Sequence, residues 1–391
     1  MPVPYTVAEL LNQNRPVVNS TIDLTLQELN ADGRLVREGL FDSALLPFIS
    51  SSSYSSREVA WLKVKSFRPR LGHIRGTDGE IQATRNPIEL TKQELGSINI
   101  SDGVVWKEAD YEMLDKLRML GQGIQRQREA YDELLNVFLQ RPADLILGIE
   151  QTWLLMALRT IVLGNPSWTD PRSGIEYSVD YTNDIPAGHL AAAKTGTGVW
   201  SDLANATGIA DLVSHLNVFY ETMKMFPDAI AMSRSMGDNL RNQDSTKILV
   251  ARNKGIITDG AAIADASNLP KAKLEDIQDV IATEITSTNT SMPAPRIILT
   301  DAVYNDGETR RPFMPQNYYT FLCNNMVEAA RVPTLSAIKS RATGGGLGAA
   351  GYTVISKNED DIPAKDYLKV DSAGMILCPD PRKIASRKVE E

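Results

Sequence analysis

The strongest constraint in this sequence is a helical pattern that runs from Lys107 to Gly164. Its second half, residues 142–163, is apolar on nearly every side: Leu145, Ile146, Leu147, Ile149, Trp153, Leu154, Leu155, Met156, Leu158, Ile161 and Val162. A helix that is greasy all round has to be covered all round, by its own domain or by neighbouring molecules. Pro142 suits the first helical position of this half, where its missing N–H costs nothing, and Asp144 complements the positive first turn. Gly164 can close the helix in the left-handed conformation, and Pro166 prevents continuation. The first half, residues 110–140, is amphipathic, with Leu114, Leu117, Leu120, Ile124, Tyr131, Leu134 and Phe138 at helical spacing. Gly121 and Gly123 each weaken a helix by about 1 kcal/mol relative to alanine. The expectation is one long backbone helix, bent near Pro142. Asp144, Glu150 and Arg159 lie inside the apolar window and argue against a membrane span, so no membrane partner is expected.

A chain of 391 residues has room for two or three lobes. Its formal charge of −8 speaks against general affinity for nucleic acid. Cys323 and Cys378 are too few and too far apart for a disulfide framework or a zinc site, and are expected as small core residues in a reducing compartment. The start, Met1-Pro2-Val3-Pro4, shows no basic region followed by an apolar run, so the expectation is no secretory signal and a cytoplasmic site of synthesis and use.

Residues 1–56 read as an arm with little core of its own, and the serines around Tyr54 read as a flexible joint. From residue 57 to 100 the pattern turns extended. Val59, Trp61, Val64 and Phe67 suggest one strand and Ile88, Leu90, Leu95 and Ile98 its return, with Gly72, Gly76 and Gly79 at the far end. Residues 57–92 carry eight basic groups against four acidic ones, a net +4, which leaves −12 on the rest of the chain. A basic hairpin on an acidic body suits docking onto a copy of that body; the competing explanation is a solvated hairpin with ordinary charge scatter. Arg68, Arg70, Arg75 and Arg85 are the candidate interface residues.

Beyond the long helix, residues 175–181 alternate as a strand would and residues 182–206 read as a loop. Ile209, Leu212, Val213, Leu216, Phe219, Tyr220 and Met223 lay an apolar face along a helix that Pro227 ends. Residues 229–232 make a short buried strand, and Ser233 can cap a helix to about Leu240. Residues 247–250 and 255–258 look like strand pieces, and 273–281 fits a short strand or a helix. Residues 296–299 and 318–323 are strands, so residues 200–325 form an α/β lobe. Residues 326–351 read as glycine-rich and irregular, followed by strands at 352–356, 366–370, 375–377 and 384–389.

No arrangement of catalytic residues outweighs its structural explanation. Gly346-Leu347-Gly348-Ala349-Ala350-Gly351 has the G-x-G-x-x-G spacing, but the residues after it read as strand rather than helix. Residues 188–195 are one residue short of a phosphate-binding loop, with Ala193 where glycine is needed. His73, His189 and His215 lie in separate segments without ligand spacing. No catalytic, cofactor-binding or metal-ligating residue is assigned, no cofactor is expected, and the chain is not expected to be an enzyme.

The order of parts resembles the major capsid proteins of tailed phages, nearest the phage lambda type, which has the Hong Kong 97-type capsid fold. Three stretches carry the resemblance. The first is the amphipathic helix followed by Phe226-Pro227-Asp228-Ala229-Ile230-Ala231-Met232-Ser233-Arg234. The second is Ile297-Ile298-Leu299 through Asp301-Ala302-Val303-Tyr304, then Pro312-Phe313-Met314-Pro315-Gln316-Asn317. The third is Ile362-Pro363-Ala364-Lys365 through Met375-Ile376-Leu377-Cys378-Pro379-Asp380-Pro381 and the final strand. The likeness covers roughly residues 140–391, and the first hundred residues only in arrangement; residues 107–141 depart from the lambda pattern.

The resemblance implies an α+β chain with a long backbone helix, an extended β-hairpin loop and an α/β axial domain. Its layout would be an N-terminal arm at 1–56, an extended loop at 57–100 and a peripheral domain at 101–199. An axial domain at 200–345 and a return through the peripheral domain at 346–391 would complete it. It further implies assembly of the chain with itself, as hexamers and pentamers, into an icosahedral shell around packaged DNA held without sequence preference. A separate scaffolding protein and a portal would be partners, with a decoration protein as a further partner the layout allows. The place of action would be the virion capsid, assembled in the host cytoplasm. The alternatives are another virion structural protein, of a tail or tube, and a nucleotide-binding α/β enzyme.

Overall fold

The computed structural model describes residues 20, 43–53, 59–64, 90–95, 98–107, 112, 116, 125–165, 168–169, 176–177, 179–257, 269–286, 294–305, 309–334, 352–359 and 365–390. The chain is α+β. It begins with β1 (Ile49–Ser53), β2 (Val59–Val64), β3 (Leu90–Leu95) and β4 (Ile98–Lys107), then the long helix α1 (Gln125–Leu163). Short pairs follow, β5 (Trp168–Thr169) with β6 (Glu176–Tyr177), and then β7 (Leu190–Ala191). The next stretch holds α2 (Gly208–Met223), β8 (Ala229–Ser233), α3 (Arg234–Asn242), α4 (Asp244–Asn253), α5 (Leu274–Thr286) and β9 (Arg296–Thr300). It closes with β10 (Val303–Asn305), β11 (Arg310–Pro312), β12 (Tyr318–Leu322), β13 (Val327–Val332), β14 (Tyr352–Glu359), β15 (Lys365–Leu377) and β16 (Ser386–Lys388).

The apolar half of α1 is covered by the protein itself. Asp144–Leu163 is long and apolar enough to cross a membrane by composition, and 67% of its most apolar window is buried. It lies on a five-stranded sheet organised by β15, the longest strand. One edge of β15 pairs with β4, from Lys365↔Lys107 to Gly374↔Ile98. The other edge pairs first with β14 and then, end to end, with β13. Val332 and Tyr352 oppose the neighbouring residues Ala373 and Ser372, so β13 ends and β14 begins at adjacent positions of the ladder. β1 runs parallel to β13 on its outer side. The two faces of this sheet separate cleanly. Val327, Ala329, Leu368, Val370 and Ile376 join α1 in one core, while Ala330, Val332, Ala373, Met375 and Leu377 form a second cluster. That split is the period-two alternation of a strand.

The second sheet, β7-β16-β12-β8-β9, carries the other large core together with α2, α3, α4 and α5. All five residues of β8 are buried, as a central strand covered on both faces requires. Ser233 at its end accepts a hydrogen bond from Met236 N at 3.4 Å and caps α3, as its sequence position suggests. The ring systems of α2 and β12 interleave, with Phe219 edge-on to Phe321 at 5.8 Å.

Several expectations are corrected. The helix does not begin at Lys107, because β4 extends to that residue and pairs with Lys365. Pro142 lies inside the continuous helix α1, as the expectation of one long helix through that position has it, at the loss of one backbone hydrogen bond. Residues 43–53 belong to the body: Ser43–Phe48 forms a tight turn, Leu45 and Phe48 are each 1% exposed, and the serine run pairs with β13. Serine has little strand propensity of its own, so the partner strand decides. Residues 247–250 are helical within α4, because a short apolar run does not reveal its period; residues 274–281 lie in α5, the helical one of the two readings of 273–281. Residues 255–257 close α4, with Ile256 N bonded to Ala251 O at 2.9 Å; Thr258 lies outside the described residues. Among the described residues of 175–181, Glu176–Tyr177 is paired as strand. Val327–Val332, read as irregular, is a strand buried between helix and sheet neighbours. The strands expected at 366–370 and 375–377 are a single one. Cys323 and Cys378 are both buried and unpaired in the sense of disulfides, and burial pushes the Cys323 thiol up to about 12.

Candidate functional site at the junction of the long helix with both sheets

α1 is fastened to the two sheets by polar groups set among apolar ones. Midway along it, Trp153 is fully buried against the place where Arg331 of β13 and Gly374 of β15 face each other across the ladder. The Arg331 guanidinium carbon lies 4.4 Å from the Trp153 ring centroid. Its Nη2 donates to both oxygens of Glu150, at 2.8 and 2.9 Å. Glu150 and Trp153 are three residues apart and therefore share a helix face. The pair is shielded from water, with side chains 4% exposed for Arg331 and 18% for Glu150. Burial lowers the pKa of the guanidinium and the Glu150 carboxylate opposes that, so the group stays charged. On the facing strand, a Cβ at Gly374 would stand 2.4 Å from Ala330 O and 3.0 Å from Trp153 Cη2. The Ala330 carbonyl is what excludes a side chain there, and the indole edge adds a second tight contact.

The C-terminal end of α1 is fastened to the other sheet. A helix leaves its last carbonyls without intrahelical partners. Here Thr320 Oγ1 of β12 shares its proton between Ala385 O at 3.1 Å and Ile161 O at 3.3 Å, and the Ser386 hydroxyl of β16 donates to Val162 O. Gly164 then takes φ +69°, its N–H bonded to Thr160 O at 2.9 Å, as the sequence pattern predicts. The strap that follows returns to the first sheet, where Tyr181 donates through its hydroxyl to Ile376 O at 2.8 Å. One helix thus holds β13 and β15 at its middle and β12 and β16 at its end. Such a junction fixes the relative geometry of two lobes.

A second buried polar group stabilises the lobe around α2. His215 Nε2 donates to His189 O at 3.0 Å, which makes its Nδ1 the acceptor for the Tyr319 hydroxyl at 3.1 Å. Burial pushes His215 down to about 4, with the Arg387 charge adding to the effect, and burial raises the Tyr319 phenol. Tyr319 stacks on Trp200 at 5.5 Å, and Trp200 Nε1 donates to Asp211 Oδ2 at 3.1 Å. Lys194 completes the group with a 2.6 Å bond to Asp211 Oδ1. Every one of these side chains is spent on holding the loop 186–200 against α2 and β12.

The features singled out in the sequence fall as follows. Arg68, Arg70, Arg75 and Arg85 lie outside the described residues; the strands on either side of them, β2 and β3, pair antiparallel from Val59↔Leu95 to Val64↔Leu90. Gly346–Gly351 also lies outside the described residues, and β14 follows it directly. Gly188 takes φ +87°, but the segment after it enters the short strand β7. Its Lys194 is held by Asp211. Among the described residues no group of His, Cys, Asp or Glu is arranged to hold a metal ion. The residues that sequence reasoning missed are Glu150, Trp153, Arg331 and Gly374 as a unit. A signal existed: a glutamate inside an apolar helix and an arginine inside an apolar strand each require a buried partner.

No family model and no curated protein matches the sequence. Solved structures do show similarity. One is a capsid protein of a prophage from Escherichia coli CFT073, 13% identical, covering 76% of this chain and 79% of that one, with a TM-score of 0.47. Another is a phage-related protein from Bordetella bronchiseptica RB50, 8% identical over 96% of both chains, with a TM-score of 0.44. A third is the capsid of the myovirus XM1, 12% identical, covering 88% of this chain and 89% of that one, with a TM-score of 0.38.

Proposed function

We propose that this chain is the major capsid protein of a tailed phage, which assembles with itself into the icosahedral shell around the genome. The observation that carries the reading is the hairpin β2–β3. Among the described strands its two members pair with each other and with no other, while β1 and β4 on either side of it belong to the main sheet. A lone two-stranded hairpin is marginal in water. A copy of the chain is the partner that this reading supplies, and the net +4 of residues 57–92 against −12 elsewhere suits such docking. In this reading Arg68, Arg70, Arg75 and Arg85 reach acidic groups on the adjacent subunit. The proposed division is an arm before residue 43, since residues 43–53 belong to the body, an extended loop at 57–100, a peripheral domain at 101–199 with a return at 346–391, and an axial domain that begins at residue 200. Strand β13, which pairs in the sheet under α1, would place the crossing out of the axial part near Asn325. Hexamers and pentamers, a separate scaffolding protein, a portal, a decoration protein and packaged DNA are the partners this function would bring. Its place would be the virion capsid, assembled in the host cytoplasm, and its work is structural rather than catalytic.

Electron microscopy of the purified chain, alone and with its scaffold, tests the reading. Closed shells are expected. Tubes or rings would favour a tail component, and small discrete particles with a sharp monomer boundary in sedimentation would overturn the assembly function altogether.

A further inference from the structure

We propose that Glu150, Trp153 and Arg331 form a register lock, which fixes where the long helix docks on its sheet and so sets the subunit geometry that a shell copies. The functional half of this inference rests on the capsid reading. Apolar burial is not directional, and a helix apolar on nearly every side has many similar ways to lie on an apolar sheet. A slip of one turn, about 5.4 Å, would exchange leucines and isoleucines for one another at small cost. The lock does not tolerate that slip. Trp153 packs tightly over β15 at Gly374, where a Cβ would come within 3.0 Å of the indole. Arg331 lies opposite that glycine in the ladder, and among the described residues its buried charge is matched by Glu150. Shifting β13 by one residue would bring Ala330 or Val332 into its place, and both belong to the cluster on the other face of the sheet.

A buried ion pair is a weak source of stability, because desolvation offsets much of the attraction, whereas it penalises every arrangement that separates the partners. That combination selects one docking position without adding to the stability of the fold. The end of α1 transmits the selection, since Thr320 and Ser386 bond its last carbonyls to the second sheet. A docking error at residue 153 then becomes a tilt between the two lobes. A closed shell repeats that tilt in every subunit, so a small spread in one chain becomes a spread in particle size.

The test uses the full chain with Glu150→Leu, Arg331→Met and the two together, read by thermal unfolding and by electron microscopy of the assembled protein. Each single variant leaves one buried charge unpaired and should lower Tm by about 5 °C or more. The double variant should return to within about 3 °C of the wild type, yet assemble into particles of several diameters where the wild type forms one. A double variant as unstable as the singles would make the pair a stability element and overturn the proposal. Restored stability with a single particle diameter would overturn it equally. If the wild type forms no closed particles even with its scaffold, the capsid reading has failed by itself. The lock is then judged by spin labels placed through Thr152→Cys on α1 and Lys369→Cys on β15. One narrow distance is expected in the wild type and a broad or doubled one in the double variant; narrow distances in both refute the lock.

Discussion

Lowering the pH should weaken this fold through His215, and the structure gives the size of the effect. In the folded chain the imidazole is 4% exposed, with Nε2 held by His189 O and Nδ1 by the Tyr319 hydroxyl. Its pKa is about 4, against 6.5 for an ordinary histidine. The unfolded chain therefore binds a proton at His215 as pH falls through 6.5, while the folded chain does not until pH approaches 4. In that window the unfolded state holds more protons, so stability falls as pH falls. Near pH 5 the slope from this residue alone is about 1.2 kcal/mol per pH unit, and the total across the window is about 3 kcal/mol. His189, whose pKa burial also lowers, adds in the same direction. Carboxylates held low by lysines, such as Asp238 by Lys271 and Asp276 by Lys254, lose their contribution only at lower pH. The assay is urea unfolding at closely spaced pH values from 4.5 to 8 for the wild type and for His215→Asn. The variant starts from a lower stability at pH 8, since it loses ring packing, but its slope between pH 5 and 6 should be shallower by about 1 kcal/mol per pH unit. Equal slopes in the two proteins would refute the reasoning, because they would mean that His215 is as basic in the fold as in the open chain.

Three further outcomes are expected. Gly374→Ala should lower stability by roughly 1–3 kcal/mol in thermal unfolding, because the new methyl group meets the Ala330 carbonyl and the Trp153 ring, so the strand pair has to shift. Deleting residues 1–42 should leave a cooperative unfolding transition, whereas deleting 1–53 also removes β1 and the buried Leu45 and Phe48, at a cost of roughly 3–6 kcal/mol for the two side chains. Reversing Arg70 and Arg75 to Glu should slow or misdirect assembly, followed by light scattering, while monomer Tm stays within a degree or two, since exposed ion pairs are worth only about 0.2–1 kcal/mol each.

How far the sequence discloses this molecule depends on whether a segment carries its own period. α2 announces itself, because Ile209, Leu212, Leu216 and Phe219 fall on one face and all four are buried against the second sheet. β8 and β9 are legible for a similar reason, as apolar runs too short for a helix between clear breaks. The run Ile49–Ser53 and the strand Val327–Val332 carry no such signal. Serine, alanine and glutamate favour a sheet only when a partner strand is already there, and these two segments are partners of each other. The same limit explains the junction. Glu150 and Arg331 are 181 positions apart, and nothing local tells either where its counterpart lies. Each does tell that a counterpart exists, because a charge inside an apolar segment has to be paired or leave it. Glu150 first serves as an argument against a membrane span; followed further, it asks for a buried cation, and the arginine inside Ala329-Ala330-Arg331-Val332 is a candidate written in an apolar strand. Gly374 is the part that no sequence argument reaches, since its reason is the close approach of the Ala330 carbonyl on the neighbouring strand, tightened by an indole ring from a helix more than two hundred positions away. Local pattern thus reveals the elements, buried charge points to where elements must meet, and only the packed structure explains the gap that lets them do so.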